Sequence, residues 1–387
     1  MNKTEMRIKR RAEKEAKENN SYGRASTREE DFPFGRTRFR SCKECSIPLA
    51  ISRNHLWEEN GIILSRDGSQ RLVIVERKIL DGIIRETAKR MGDEADRIML
   101  YAKAFDASRY VRSLMSGWKK TSLGYPALKK PLYEMLCDQV RILGMADARV
   151  ASYTRGEELV IACTECYNKT FMAGDILGAV YECEGREAAV EVEEAGGEVI
   201  FKATVLENKR CEEIEKYRLS KEAPIPGHVN YRRCRKCGMP FAVSFMSWDI
   251  PRGIMVDTRN GEPVALINVA GINASYETVR DAQGEAVDQF LAIQVKKMVD
   301  SILPGLTWKH RKPEDRIRDL FFLAYRGMGN PVFTEPINDG IRARVENPFN
   351  YPLVAGIAAS FLARGKTASF EWERSMPGRL ELYLYFE

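Results

Sequence analysis

The pattern Cys42-Lys-Glu-Cys45-Ser-Ile-Pro48 is written a second time as Cys234-Arg-Lys-Cys237-Gly-Met-Pro240, and this echo constrains the fold more than any other feature of the 387-residue chain. Reading on from the first copy gives Ser52, Trp57, Gly61-Ile62, an Asp67-Gly68 turn and the apolar run from Leu72 to Val75. The second copy runs through Ser244, Trp248, Gly253-Ile254, Asn260-Gly261 and the run from Val264 to Ile267. The chain is therefore an internal duplication, which has to be settled before any other fold argument. A later stretch repeats as well. Residues 158 to 174 align on 340 to 356, sharing Asn168 with Asn350 and Ala173-Gly174 with Ala355-Gly356, and 185 to 193 align on 365 to 373. The repeated unit spans 40–207 and 232–387, with a charged arm at 1–39 and a linker at 208–231.

Local patterns fill in each unit. Asp67-Gly68 and Asn260-Gly261 suit the positive φ angles of tight hairpin turns. Helical patterns follow over 81–115 and 274–303, each broken near a glycine, Gly92 or Gly284. A further helix is expected over 129–143 and 313–325, then strand, helix, strand and strand, which in the second copy fall at 341–345, 352–362, 368–373 and 379–386. Leu380, Leu382, Leu384 and Phe386 alternate with Glu381, Tyr383 and Tyr385, the period-two pattern of a half-buried antiparallel strand. These signals predict an α+β chain with α/β-like layers. It consists of two copies of one module, each a knuckle hairpin plus helices on a small antiparallel sheet, arranged as a pseudo-twofold pair.

Charge and hydropathy narrow the function classes. The net charge is +6, but residues 1–40 hold twelve Lys/Arg and seven Asp/Glu, so the remainder is nearly neutral and composition announces no basic groove. The basic arm leaves nucleic acid as an alternative partner. No apolar run reaches membrane-spanning length, the longest being Leu353 to Ala363, and the N-terminus carries no apolar signal region; the reading is cytoplasmic. No nucleophile elbow, phosphate loop or dinucleotide glycine motif occurs, the acids read as scattered over solvated helix faces, and the three histidines, His55, His228 and His310, share no motif.

What remains is sulfur. Nine cysteines, four of them in C-x-x-C knuckles, read as metal ligands or reduced thiols. A structural zinc takes four thiolates in a tetrahedron, and each copy offers two. Bringing the copies together would assemble Cys42, Cys45, Cys234 and Cys237 into one Zn2+ site. A rival set joins Cys42 and Cys45 to Cys163 and Cys166, but the second copy carries Val345 and Pro348 at the latter positions and would strand Cys234 and Cys237. Iron on the same four sulfurs is the less favoured metal. Cys163 and Cys166 are otherwise small core residues or secondary thiols of a pocket or redox pair. Trp57 and Trp248, and Trp118 and Trp308, recur between copies and read as packing residues.

On Asn350, Ala355-Gly356-Ile357, Gly365 and Phe370-Glu371-Trp372-Glu373, with Asn168, Ala173-Gly174 and Val190-Glu191-Val192-Glu193 in the first copy, the chain resembles the 4-vinyl-reductase domain family, small-molecule-binding relatives of the transport-particle subunit fold. The resemblance covers about the last 80 residues of each unit. It implies an α/β module around an apolar pocket, formed here by Phe171, Met172, Ile176 and Leu177 in one copy and Leu353, Val354, Ile357 and Phe361 in the other. The family's cysteines near its final strands have no counterpart, since this chain has no cysteine after Cys237. The expected function is a non-catalytic, zinc-binding sensor, carrier or accessory subunit for an apolar small molecule or a protein partner. The alternatives are a C-x-x-C-dependent redox or reductase-type enzyme and a zinc-knuckle nucleic-acid-binding regulator.

Overall fold

The computed structural model describes residues 39–114, 128–218, 223–302 and 312–387. Residues 1–38 of the arm, Trp118 and Trp308 lie outside the described residues. The fold is mixed α+β with three antiparallel sheets.

The first copy begins with its knuckle and helix α1 (Leu49–Asn54), then β1 (His55–Trp57), β2 (Ile63–Ser65) and β3 (Arg71–Glu76). Helices α2 (Arg77–Met91), α3 (Asp93–Leu114) and α4 (Lys129–Ile142) follow, with the break falling at Gly92 as expected. The chain then forms β4 (Arg149–Thr154), β5 (Glu158–Cys163), α5 (Lys169–Glu184), β6 (Ala188–Ala195) and β7 (Glu198–Val205), and passes through the short α6 (Glu212–Glu215). The later part of the chain runs through β8 (Met246–Asp249), β9 (Ile254–Asp257), β10 (Glu262–Asn268), α7 (Val269–Gln283) and α8 (Ala286–Ile302). In place of one continuous helix over 313–325 there is a 3-10 turn followed by α9 (Ile317–Leu320) and α10 (Phe322–Tyr325). It ends with β11 (Asn330–Ile337), β12 (Gly340–Glu346), α11 (Tyr351–Ala363), β13 (Ala368–Met376) and β14 (Arg379–Phe386).

The repeated Asn and Ala-Gly residues have local physical roles. Asn168 and Asn350 are helix N-caps whose side chains accept hydrogen bonds from the backbone N–H of Phe171 at 2.8 Å and Leu353 at 3.2 Å, satisfying donors that the first helical turn leaves unpaired. The Ala-Gly glycines bring helices to backbone contact. A Cβ on Gly174 would lie 2.6 Å from the Leu100 carbonyl oxygen, and one on Gly356 would lie 2.3 Å from that of Ala292. Helix α5 thereby packs on α3, and α11 on α8.

The small sheets take the orders β4-β5-β7-β6 and β11-β12-β14-β13. The two hairpins do not form further small sheets. They merge into one six-stranded sheet, β1-β2-β3-β10-β9-β8, whose centre is the antiparallel pairing of β3 with β10. Its register sets Leu72 opposite Asn268, Ile74 opposite Leu266 and Glu76 opposite Val264.

The hairpins are also exchanged between halves. The Trp57 indole N–H donates to the Tyr325 carbonyl at 2.7 Å, and that of Trp248 to the Ile142 carbonyl at 3.2 Å, so each knuckle hairpin is pinned to the opposite half of the chain. Ile74 N–H donates to the Arg326 carbonyl and Leu266 N–H to that of Leu143. The linker joins in, because the Asn347 side-chain amide donates to the carbonyls of both Asn60 and Ile225. Gly61 and Gly253 mark where the exchanged hairpins meet their hosts. A Cβ on Gly253, at φ +59°, would fall 1.9 Å from the Ala146 oxygen, and one on Gly61, at φ +77°, 2.6 Å from the Gly329 backbone. Gly253→Ala should therefore cost more than about 3 kcal/mol by chemical denaturation, combining backbone strain with a clash against main chain that cannot yield. Gly68→Ala, with φ +71° but open space around it, should lose only about 1 kcal/mol.

Among the described residues no helix is long and apolar enough to cross a membrane.

Candidate metal centre

Each knuckle is a tight turn closed by its own backbone. In the first, Cys42 N–H donates to Ile47 O at 2.9 Å and Ser46 N–H to Cys42 O at 2.8 Å. In the second, Cys234 N–H donates to Met239 O at 2.8 Å and Gly238 N–H to Cys234 O at 2.9 Å. The residue after the second cysteine is left-handed in both, Ser46 at φ 62° and Gly238 at φ 75°. The prolines then pair back across each turn, Pro48 with Ser41 and Pro240 with Arg233. This geometry throws both sulfurs of a turn to one side.

Because β3 and β10 pair at the centre of the shared sheet, the two turns face each other. Cys42 Sγ lies 3.7 Å from Cys234 Sγ, and Cys45 Sγ lies 3.4 Å from Cys237 Sγ. All four ligand atoms fall within 4.8 Å of one another, and the cluster can hold a metal ion. Four sulfurs at the zinc–thiolate bond length of about 2.3 Å stand roughly 3.8 Å apart at the corners of a tetrahedron, so the residues present fit such a group. Cys42, Cys45 and Cys234 are buried and Cys237 is half-buried. Burial pushes the Cys42 thiol up, but the backbone N–H groups of Glu44 and Cys45 together with hydrogen bonds to the Cys45 and Cys234 sulfurs outweigh it and leave it at about 7. Burial raises Cys45, and Cys237 to about 11. A bound cation would reverse these upward shifts by coordinating the thiolates.

Cys163 and Cys166 do not join the cluster. Cys163 is buried at the end of β5 with its thiol raised, first by the hydrogen bond to Cys166 and then by burial, while Cys166 is half-buried and bridges Ala146. The rival set with Cys42 and Cys45 is not assembled.

An open cleft of about 610 Å³ adjoins the cluster, bounded by β1, the loop at Glu58 to Asn60, the linker at Pro226-Gly227 and the second knuckle. His55 on its wall is buried and held neutral. Burial lowers its pKa to about 4, while its Nδ1–H donates to Ile51 O at 3.1 Å. Since the folded pKa lies below the unfolded 6.5, the unfolded chain takes up a proton first as pH falls. The stability contributed by neutral His55 is complete above 6.5 and is lost toward 4, on the order of 3 kcal/mol. In urea titrations at pH 7 and pH 4.5, His55→Gln should lose less stability on acidification than the parent.

The eight apolar residues expected at a pocket are placed mainly in helix packing. Phe171, Met172, Ile176, Leu177, Leu353, Val354 and Ile357 are buried, while Phe361 is half-buried and stacks on Phe322 with ring centroids 3.9 Å apart. Phe171 and Leu353 line a shared cavity of about 30 Å³ between α2 and α7, whose walls include Leu80, Ile84, Ile272 and Tyr276. That space holds about one water.

Two buried charge networks escaped sequence reasoning, which placed the acids on solvated faces. Lys103 Nζ lies 2.8 Å from Asp106 and 3.3 Å from Asp175, which also accepts from the Tyr167 hydroxyl at 2.7 Å. Burial lifts Asp175 to about 6 against the pull of Lys103. Arg326 is clamped between Glu76 at 2.5 Å and Asp257 at 2.6 Å, all three buried. Lys103 and Asp106 stand three apart on one helix, but Arg326 lies 250 positions from Glu76 and 69 from Asp257, separations for which spacing carries no signal. Neither network lines the cleft or the shared cavity.

No protein-family model, curated protein or solved structure matches this chain.

Proposed function

We propose that the chain is a non-catalytic binding or accessory module in which one structural zinc ion, held by Cys42, Cys45, Cys234 and Cys237, locks two copies of a duplicated unit about a pseudo-twofold axis. The observation that carries this reading is the four-sulfur cluster itself, built from equivalent residues of the two copies at tetrahedral separations. A complete set of four protein thiolates leaves no coordination position open for substrate, which is the habit of structural rather than catalytic zinc. The register of β3 on β10 supports the axis, because positions 192 apart, such as Ile74 and Leu266, face one another across it.

The likeness to 4-vinyl-reductase domains belongs to the same proposal, with β4-β5-α5-β6-β7 and β11-β12-α11-β13-β14 as the two modules. Their apolar helices are packed on neighbours, so the reading favours a protein partner over a preformed carrier pocket. Metal analysis of the purified chain tests it. A colourless protein with one zinc per chain is expected; a visible iron–thiolate band, or a folded protein without metal, would contradict it.

A further inference from the structure

We propose that the face carrying the two knuckles binds the phosphate backbone of a nucleic acid. The segments 40–45 and 232–237 expose Arg40, Lys43, Arg232, Arg233, Arg235 and Lys236, with Glu44 the one acid among them. Because the cysteines of the two turns lie 3.4 to 3.7 Å apart in pairs, these cations form one patch of net charge +5 rather than two small ones. The chain as a whole is +6, and residues 1–39 carry +4 of it in the sequence. The +5 of the two knuckle segments therefore stands against −3 for the remaining residues from 46 to 231 and 238 to 387 together. Even with the −2 of a zinc tetrathiolate beneath it, the patch remains +3.

The neighbouring cleft adds Arg66, and Arg233 is fixed at its mouth by donating to Trp57 O at 2.8 Å and Gly238 O at 3.1 Å. Glu58 and Glu59 also line the cleft, so the phosphate contacts fall on the knuckle tips and not within it. A protein interface would need an apolar centre. Among the described residues the large exposed apolar side chains, such as Leu128, Val192, Phe321 and Val332, all lie outside the knuckle turns. A phosphate backbone needs only this array of cations, and its binding carries a salt signature through counterion release.

The metal positions the turns, so the inference rests on the four-cysteine site, and zinc content is measured on every sample to separate the two failures. The full chain is titrated into a fluorescent 20-nucleotide single strand, and in parallel a duplex, at 50 and 200 mM KCl. Three to five phosphate contacts predict a loss of about 20- to 130-fold in affinity for the single strand over that range. The variant K43E/R235E/K236E should bind at least tenfold more weakly and lower the log–log salt slope by about 2, with zinc retained. Should charge reversal expel the zinc, K43Q/K236Q gives the same slope measurement, and K43R/K236R should bind as the parent does. No binding of either oligonucleotide at 50 mM KCl would overturn the proposal. So would an unchanged slope in a zinc-replete variant, or competition on equal terms by polyglutamate.

Discussion

Replacing Cys234 with serine is expected to release the metal as completely as replacing Cys42, although the two lie 192 positions apart. Each close sulfur pair takes one member from each knuckle, so neither knuckle alone can complete a tetrahedron. Structural zinc contributes its binding free energy to the fold it closes, and losing it should cost several kcal/mol and lower the melting temperature by roughly 10 °C or more. Cys163→Ser, at a buried thiol outside the cluster, should keep stoichiometric metal. Metal analysis and thermal melts of the three variants check this, and a Cys234→Ser protein with full zinc would remove the shared site.

Arg326→Met is expected to be among the most destabilising single changes in the chain. The guanidinium bridges Glu76, at the end of β3, and Asp257, on β9, and so ties the segment after α10 to the six-stranded sheet. Its removal leaves Glu76 buried without its cation, while Asp257 keeps Arg259 at 2.5 Å. Deleting one partner of a buried pair typically costs about 3–5 kcal/mol, because the remaining charge is neither paired nor solvated. Asp257, held well below the usual carboxylate range by the hydrogen bond of Arg259 and the charges of Arg326 and Arg259 against the opposing effect of burial, should also titrate higher in the variant. Urea denaturation measures the first effect, and a loss below 1 kcal/mol would show that the network is dispensable.

The knuckles and the Ala-Gly helices were legible because their causes are local: a turn needs a left-handed residue, a cap needs an oxygen, and a helix in backbone contact needs a glycine. The edge strands β4 and β11 were not. Arg149 to Thr154 is largely exposed and lacks the apolar alternation of a half-buried strand, and Asn330 to Ile337 contains two prolines, which an edge strand tolerates because one side of its backbone needs no partner. The exchange of hairpins was invisible for a different reason. The breaks at Gly92 and Gly284 announce that the helix stops, but which module the chain packs on beyond them is decided by contacts such as Trp57 on Tyr325, between residues 268 positions apart. Asp106 and Asp175 likewise read as solvated helix charges, since it is the packing of α3 on α5 and α7 that takes them and Lys103 out of water.

X-ray absorption at the zinc edge of the purified full chain is the most direct test of the shared metal centre. One zinc per chain with four sulfur neighbours at about 2.3 Å and no nitrogen or oxygen in the first shell is the expected result. A first shell with two sulfurs and lighter atoms, or a zinc-free chain that is nevertheless folded, would contradict it.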